Sequence, residues 1–324
     1  MTYRQPGPYG QQPTPDTRQR GPYGQQPGPY GRQPGPYIQR PGPYGQRPES
    51  LIDRLFPEPL AVKVPKITAL FWVVKVLTTA GGEATSGFLA LGNWTVGGIV
   101  EVALLVIGLT WQFRSRHYVT VAYWFLAYAI ATFGTGIADG MHVLVGIPYA
   151  GTTVLWAVVL AAIFWLWHRS EGTLSIHSIV TRRRESFYWA TVFATFALGT
   201  SVGDFTATEL HLGYLAAGIT FGIVIMIPGV LWSGLNVNSV FCFWFAYVLT
   251  RPLGASFADY FSKPHKLTGI GFGYGPTAGI ATILVASLVA YLAISRSDMQ
   301  ASEELTPGGG PEAGRPRDHR RVSY

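Results

Sequence analysis

Three aspartates, Asp139, Asp204 and Asp259, stand inside strongly apolar stretches, each five residues after a glycine and fifteen after a tryptophan. The copies are Trp124/Gly134/Asp139, Trp189/Gly199/Asp204 and Trp244/Gly254/Asp259, and a fourth, Trp72/Gly82/Gly87, has glycine where the acid is expected. Acids at membrane depth are costly and mark ion or proton sites by default. Glu83, next to Gly82, supplies a fourth acid about one helical turn away in depth. The same stretches carry Thr78 and Thr79, Thr132 and Thr135, Thr195, Thr200 and Ser201, and Thr250 and Ser256. Carboxylates with hydroxyl and carbonyl oxygens are the ligand set of hard cations such as Mn²⁺, Mg²⁺ or Ca²⁺. The expected metal-binding set is therefore Glu83, Asp139, Asp204 and Asp259, supported by Thr79, Thr135 and Thr200.

Two bases temper this charge. Lys75 lies eight residues before Glu83 and Arg251 eight before Asp259, so each base and its acid share roughly one helix face; they read as ion pairs or gating groups. Counting Glu101 as well, five acids face two bases, which favours a cation over an anion. His142, His211 and His265 follow the aspartates at unequal offsets and rank second, as entry ligands or a pH-sensing shell.

These residues must be positioned by an internal repeat. The residue before each tryptophan is aromatic (Phe71, Tyr123, Tyr188, Phe243), and the glycine ten residues on never varies. Four matched copies are a repeat to be found before any fold is considered. Eight apolar windows, about 67–91, 94–112, 118–138, 144–167, 188–207, 212–233, 239–259 and 270–294, each approach the roughly 20 residues a helix needs to cross the hydrocarbon core. The expected fold is an all-α polytopic membrane protein of eight transmembrane helices, built as four two-helix repeats at about 67–112, 118–167, 188–233 and 239–294. An even number of spans per repeat makes the repeats parallel, about an axis along the membrane normal. Equivalent residues then lie at one depth, and the glycines permit close helix approach. Pro252 is expected to kink or break its span, and Pro228 to act similarly in the sixth.

Composition agrees. Only 13% of the 324 residues are charged and 48% are hydrophobic, about half the charge of an ordinary soluble domain. The net charge of +7 is distributed as a topology signal and not as a nucleic-acid surface: nine of the 24 basic residues precede the first span, and Arg114, Arg116, Arg169, Arg182 to Arg184 and Arg296 follow even-numbered spans. The opposite loops hold Lys263 and Lys266. The positive-inside rule places both termini in the cytoplasm. A single cysteine, Cys242, excludes an internal disulfide framework or thiolate metal site. No zinc helix, nucleophile elbow or phosphate loop is present, so ATP-driven pumping by this chain alone is not expected.

Residues 1–50 repeat Gly-Pro-Tyr at 7–9, 21–23, 28–30, 35–37 and 42–44 and read as a disordered tail making at most weak protein or membrane-surface contacts. Residues 51–66 read as a juxtamembrane segment with a short interfacial helix before Pro57, and 296–324 as a second disordered tail.

The strings Tyr188-Trp189, Phe196-Ala197-Leu198-Gly199-Thr200, Gly203-Asp204-Phe205 and Thr250-Arg251-Pro252-Leu253-Gly254-Ala255-Ser256 resemble a bacterial integral membrane family of four tandem two-span repeats, each with a characteristic Trp, described as a repeat of unknown function. The resemblance covers about residues 62–295 and implies the eight-span architecture. It also implies an acid in the first copy, where this chain has Gly87, so Glu83 becomes the natural replacement.

The sequence thus points to a bacterial inner-membrane transporter or channel-like protein for a small cation, most consistent with a divalent metal such as manganese as substrate and with no resident cofactor. Two alternatives stand beside it. One is a membrane-embedded enzyme acting on a lipid or quinone, with Asp259 and Arg251 or Glu83 and Lys75 as acid and base. The other is a non-catalytic scaffold whose tail recruits a partner.

Overall fold

A computed structural model describes residues 55–56 and 58–300; the Gly-Pro-Tyr segment, most of the expected interfacial helix and residues 301–324 lie outside the described residues. Nine α-helices and no strand occur among the described residues. They are α1 (Ala69–Gly92), α2 (Trp94–Arg114), α3 (Thr120–Val143), α4 (Tyr149–Glu171), α5 (Arg182–Asp204), α6 (Tyr214–Val224), α7 (Met226–Leu235), α8 (Ser239–Ser262) and α9 (Tyr274–Ser295). α6 and α7 are two halves of one rod, so the chain forms eight rods in the four pairs that its repeats announce.

Six rods are long and apolar enough to cross a membrane: α2, α3, α4, α6 with α7, α8 and α9. α1 and α5 are as long, but their polar content is higher, with Lys75 and Glu83 in one and Arg182 to Glu185 and Asp204 in the other. Polar side chains cap several starts. Asn93 Oδ1 accepts from the backbone N–H groups of Thr95 and Val96 at α2, and Asn238 Oδ1 from those of Val240 and Phe241 at α8; each supplies partners for donors a helix leaves unpaired.

α1, α3, α5 and α8 form a closed inner ring, each packed on the next and α8 on α1. The second helix of each repeat leans on the inner helix of the following repeat: α2 on α3, α4 on α5, α6 on α8, and α9 back on α1. The inner helices α3 and α8 are mostly buried, whereas the outer rods expose rows of Val, Ile and Leu, as lipid-facing helices do.

Two circuits of contacts show that the ring is parallel and in register. Phe71 meets Trp124, Tyr123 meets Trp189, Tyr188 meets Trp244 and Phe243 meets Trp72, with ring centroids 5.6, 5.2, 6.0 and 5.7 Å apart. At the other level each conserved-spacing glycine faces the next inner helix. A methyl group at Gly82, Gly134, Gly199 or Gly254 would come within 2.9 Å of Ala131, Phe196, Pro252 or Val76. Glycine is needed there because two backbones approach each other.

Of three local expectations, one is met and two are corrected. α8 continues through Pro252 from Ser239 to Ser262, because the proline ring is seated against Gly199 of α5. The sixth rod does break, at Ile225, which places Pro228 in the first turn of α7, where a missing N–H costs little. The start of the expected C-terminal tail is tied down: Asp298 is buried, accepts a hydrogen bond from the Tyr118 hydroxyl (2.5 Å), and its carbonyl accepts from Lys66 N.

Residues 58–66 form an extended strap. Lys63, fully buried, donates to the Gln112 carbonyl (2.6 Å) and pairs with Glu185 (2.8 Å). Burial pushes the Lys63 ammonium below the ordinary lysine value, while Glu185 pulls it back up.

Candidate functional site

The inner ring stacks its side chains in layers along its axis. Near the helix starts lies the aromatic collar, in which the Tyr123 and Tyr188 hydroxyls are hydrogen bonded at 2.5 Å. One turn further, the Lys75 ammonium lies over the rings of Phe196 and Tyr247, at 3.9 and 4.1 Å from their centroids. Lys75 is fully buried and makes no hydrogen bond or ion pair among the described residues. The two aromatic faces stand in for a counter-ion by cation–π attraction.

The next layer is a buried ion pair. Arg251 Nη2 donates to Glu83 Oε2 (2.7 Å), to Thr200 Oγ1 (2.7 Å) and to Thr135 Oγ1. Its Nη1 donates to the Thr79 carbonyl (2.6 Å) and its Nε to the Phe196 carbonyl (3.3 Å). The Thr135 and Thr200 hydroxyls also reach Glu83 Oε2, at 3.2 and 3.4 Å. One guanidinium thus binds all four inner helices. Pairing and hydrogen bonding of this kind offset the cost of burying both charges. The expectation that Lys75 pairs with Glu83 and Arg251 with Asp259 is overturned: the pair crosses the axis.

The last layer, towards the helix ends, holds the aspartates. Lys263, the residue after α8, sits between Asp259 Oδ2 (2.9 Å) and Asp204 Oδ1 (3.3 Å), and donates to the Tyr214 hydroxyl (2.5 Å). Tyr214 donates to Asp204 Oδ1 (3.1 Å) and Tyr274 to Asp259 Oδ1 (3.4 Å). Burial works against the Lys263 charge, but Asp204 and Asp259 hold its ammonium well above the usual lysine range. Asp139, the third member of the register, makes no hydrogen bond or ion pair among the described residues.

The first copy's exception has a spatial cause. A side chain at Gly87 would overlap the ring of Tyr274, whose hydroxyl serves Asp259 instead. The structure brings Glu83, Thr79, Thr135, Thr200 and Arg251 into one layer and Asp204 with Asp259 into another, with Lys75 below both. Among the described residues, no group of three or more His, Cys, Asp or Glu is arranged to hold a metal ion. The three histidines touch none of the acids: His142 bonds the Ile147 carbonyl and stacks on Tyr149, His211 bonds the Thr208 carbonyl, and His265 is exposed.

The sequence reading missed Lys263, Tyr214 and Tyr274. Signals for two of them existed: Tyr214 follows Asp204 by ten residues, as Tyr149 follows Asp139. The signal for Lys263 was its place four residues after Asp259, one turn along the same face. A π-helical turn, Phe205–Glu209, directly after Asp204 was also missed. Such turns are rare and recur at functional sites; this one presents Glu209, whose Oε1 accepts from Tyr149 N (2.8 Å) at the start of α4.

The apolar outer rods and the parallel inner ring define a multi-pass helical membrane protein built from tandem helix pairs. Residues 122–173, 187–236 and 242–298, the second, third and fourth pairs, match the family described as Repeat of Unknown Function (DUF347). Comparison with curated proteins finds no match. Comparison with solved structures finds none either.

Proposed function

We propose that this protein moves a small cation across the membrane along the axis of its inner ring. The observation that carries the reading is Lys263, whose ammonium fills the space between Asp204 and Asp259. A tethered ammonium is a built-in occupant of a cation site, and an incoming cation takes its place when the lysine swings out. Lys263 is 16% exposed and lies outside α8, so it has somewhere to go.

With Lys263 displaced, the oxygens of Asp204, Asp259, Tyr214 and Tyr274 face the cation, with Asp139 as a further carboxylate. This hard donor set suits a divalent ion such as Mn²⁺ or Mg²⁺ as substrate. Below it, the Arg251 guanidinium neutralises Glu83. Transport is then coupled to protons or to the membrane potential. In this reading all eight rods cross a bacterial plasma membrane, with both termini on the cytoplasmic side, as the basic residues after even-numbered rods favour. The aromatic collar then closes the cytoplasmic half, and the aspartates face outward.

The enzyme alternative gains less support. The lateral clefts between α2, α3 and α5 and between α1, α7 and α8, about 650 and 690 Å³, are lined mainly by apolar residues and contain none of the proposed acid and base pairs.

Equilibrium dialysis of Mn²⁺ against the purified full chain tests the site. Binding is expected, lost when Asp204→Asn and Asp259→Asn are combined and retained in Glu171→Gln on the opposite side. Undiminished binding in the double variant contradicts the assignment.

A further inference from the structure

Away from the axis, Glu101 on α2 is a second buried acid that the axial reading does not use. It is 6% exposed, and its Oε1 accepts a hydrogen bond from Ser86 Oγ of α1 at 2.6 Å. Its Oε2 lies beside Gly136 of α3, close enough that a methyl group there would overlap it, and accepts no hydrogen bond among the described residues. The carboxyl borders a pocket of about 450 Å³ between α1, α2 and α3, walled by Trp94, Gly97, Gly98, Val102, Gly136 and Gly140. The outer face of α2 beside it exposes Val96, Ile99 and Val102, so the pocket lies on the lipid side of the ring.

The titratable groups on the elements packed against it are Lys75 and Glu83 on α1 and Tyr123, Tyr128, Asp139 and His142 on α3. None of them forms a hydrogen bond or ion pair with Glu101. An ionised carboxylate in a low-dielectric wall needs a cation or several donors. Glu101 has one hydroxyl and no cation. Its side chain is nonetheless built in: Ser86 fixes one oxygen and the missing side chain at Gly136 makes room for the other.

We propose that Glu101 is a proton-binding carboxyl reached from the bilayer through this pocket, distinct from the axial acids. The ligand is a proton, and the site's accessibility is to lipid-dissolved molecules. Nothing in this assignment depends on what passes along the axis.

A hydrophobic carbodiimide reads it directly. The O–H of a protonated carboxyl adds across a C=N bond of the reagent, and the resulting O-acylisourea rearranges to a stable N-acylurea with no atom lost. The full chain in lipid vesicles is treated with dicyclohexylcarbodiimide and its peptides are mapped by mass spectrometry. The expected result is an adduct on Glu101, formed faster at mildly acidic than at mildly alkaline pH, and severalfold less with a water-soluble carbodiimide. Glu101→Gln abolishes it, Gly136→Ala lowers it severalfold, and Ser86→Ala, which frees Oε1, leaves or raises it. Circular dichroism and gel filtration establish that each variant is folded. An unmodified Glu101 in folded protein, labelling indifferent to pH, or equal labelling by the water-soluble reagent overturns the proposal.

Discussion

The guanidinium of Arg251 pairs with the carboxylate of Glu83 across the axis of the inner ring, at 2.7 Å, and not with Asp259 two turns further along its own helix. The pair joins the first and last inner helices, α1 and α8, and so closes the ring at the level of the four glycines. Thr135 and Thr200, at the position equivalent to Glu83 in their own copies, complete the shell around the same guanidinium.

Because both members are buried, removing one leaves the other without a partner. Glu83→Gln or Arg251→Met is expected to lower stability by about 3–5 kcal/mol, the usual cost of stranding a buried charge. Glu83→Gln combined with Arg251→Met is expected to recover at least half of that loss. Denaturant unfolding in detergent, followed by tryptophan fluorescence, measures all three. Simple additivity of the two losses would show that the pair does not act as a unit.

Glycine spacing makes a sharper contrast. Gly134→Ala, Gly199→Ala and Gly254→Ala each push a methyl group into a neighbouring helix, and overpacking of this kind costs about 1–3 kcal/mol. Gly98, Gly229 and Gly279 have open space around them, so alanine there is expected to be neutral or stabilising by up to about 1 kcal/mol. Melting temperatures of the six variants should separate into two groups.

If Lys263 is the resident occupant of the cation site, its removal should help the substrate. Lys263→Gln is expected to tighten Mn²⁺ binding severalfold in equilibrium dialysis. Tyr214→Phe, which removes one hydroxyl from the same cluster, is expected to weaken it. Weaker binding in the lysine variant would mean that Lys263 supports the site and does not compete for it.

The strap that precedes α1 is held by two ion pairs, an exposed one between Glu58 and Arg182 (3.1 Å) and the buried one between Lys63 and Glu185. Glu185→Gln strands Lys63 in a buried position, and the strap is expected to loosen, with faster hydrogen exchange over residues 58–66 than in the parent. Lys63→Met, which removes the charge with its need for a partner, is expected to disturb exchange less.

Much of this architecture was legible because the repeat is strict. The tryptophans, their preceding aromatics and the glycines fix the register, and the ring repeats those contacts copy by copy. The first copy was harder to read, since it lacks the acid; the ring of Tyr274 explains Gly87 only once α9 is seen against α1. Hydropathy located every rod but began α5 late, because Arg182 to Glu185 are helical although polar. The axial pair escaped reading for a geometric reason. Helical spacing relates residues on one helix, whereas Arg251 and Glu83 meet between helices far apart in sequence. Lys263 was assigned to a loop, where a charge looks solvated, and only the fold turns it inward onto Asp204.

The most direct test of the account is Mn²⁺ uptake into vesicles holding the full chain, under an imposed proton gradient and membrane potential. Uptake is expected in the parent, to fall at least about tenfold when Asp204→Asn and Asp259→Asn are combined, a loss equivalent to some 1.4 kcal/mol of transition-state stabilisation, and to persist in Glu171→Gln. Uptake unchanged in the folded double variant would contradict the account.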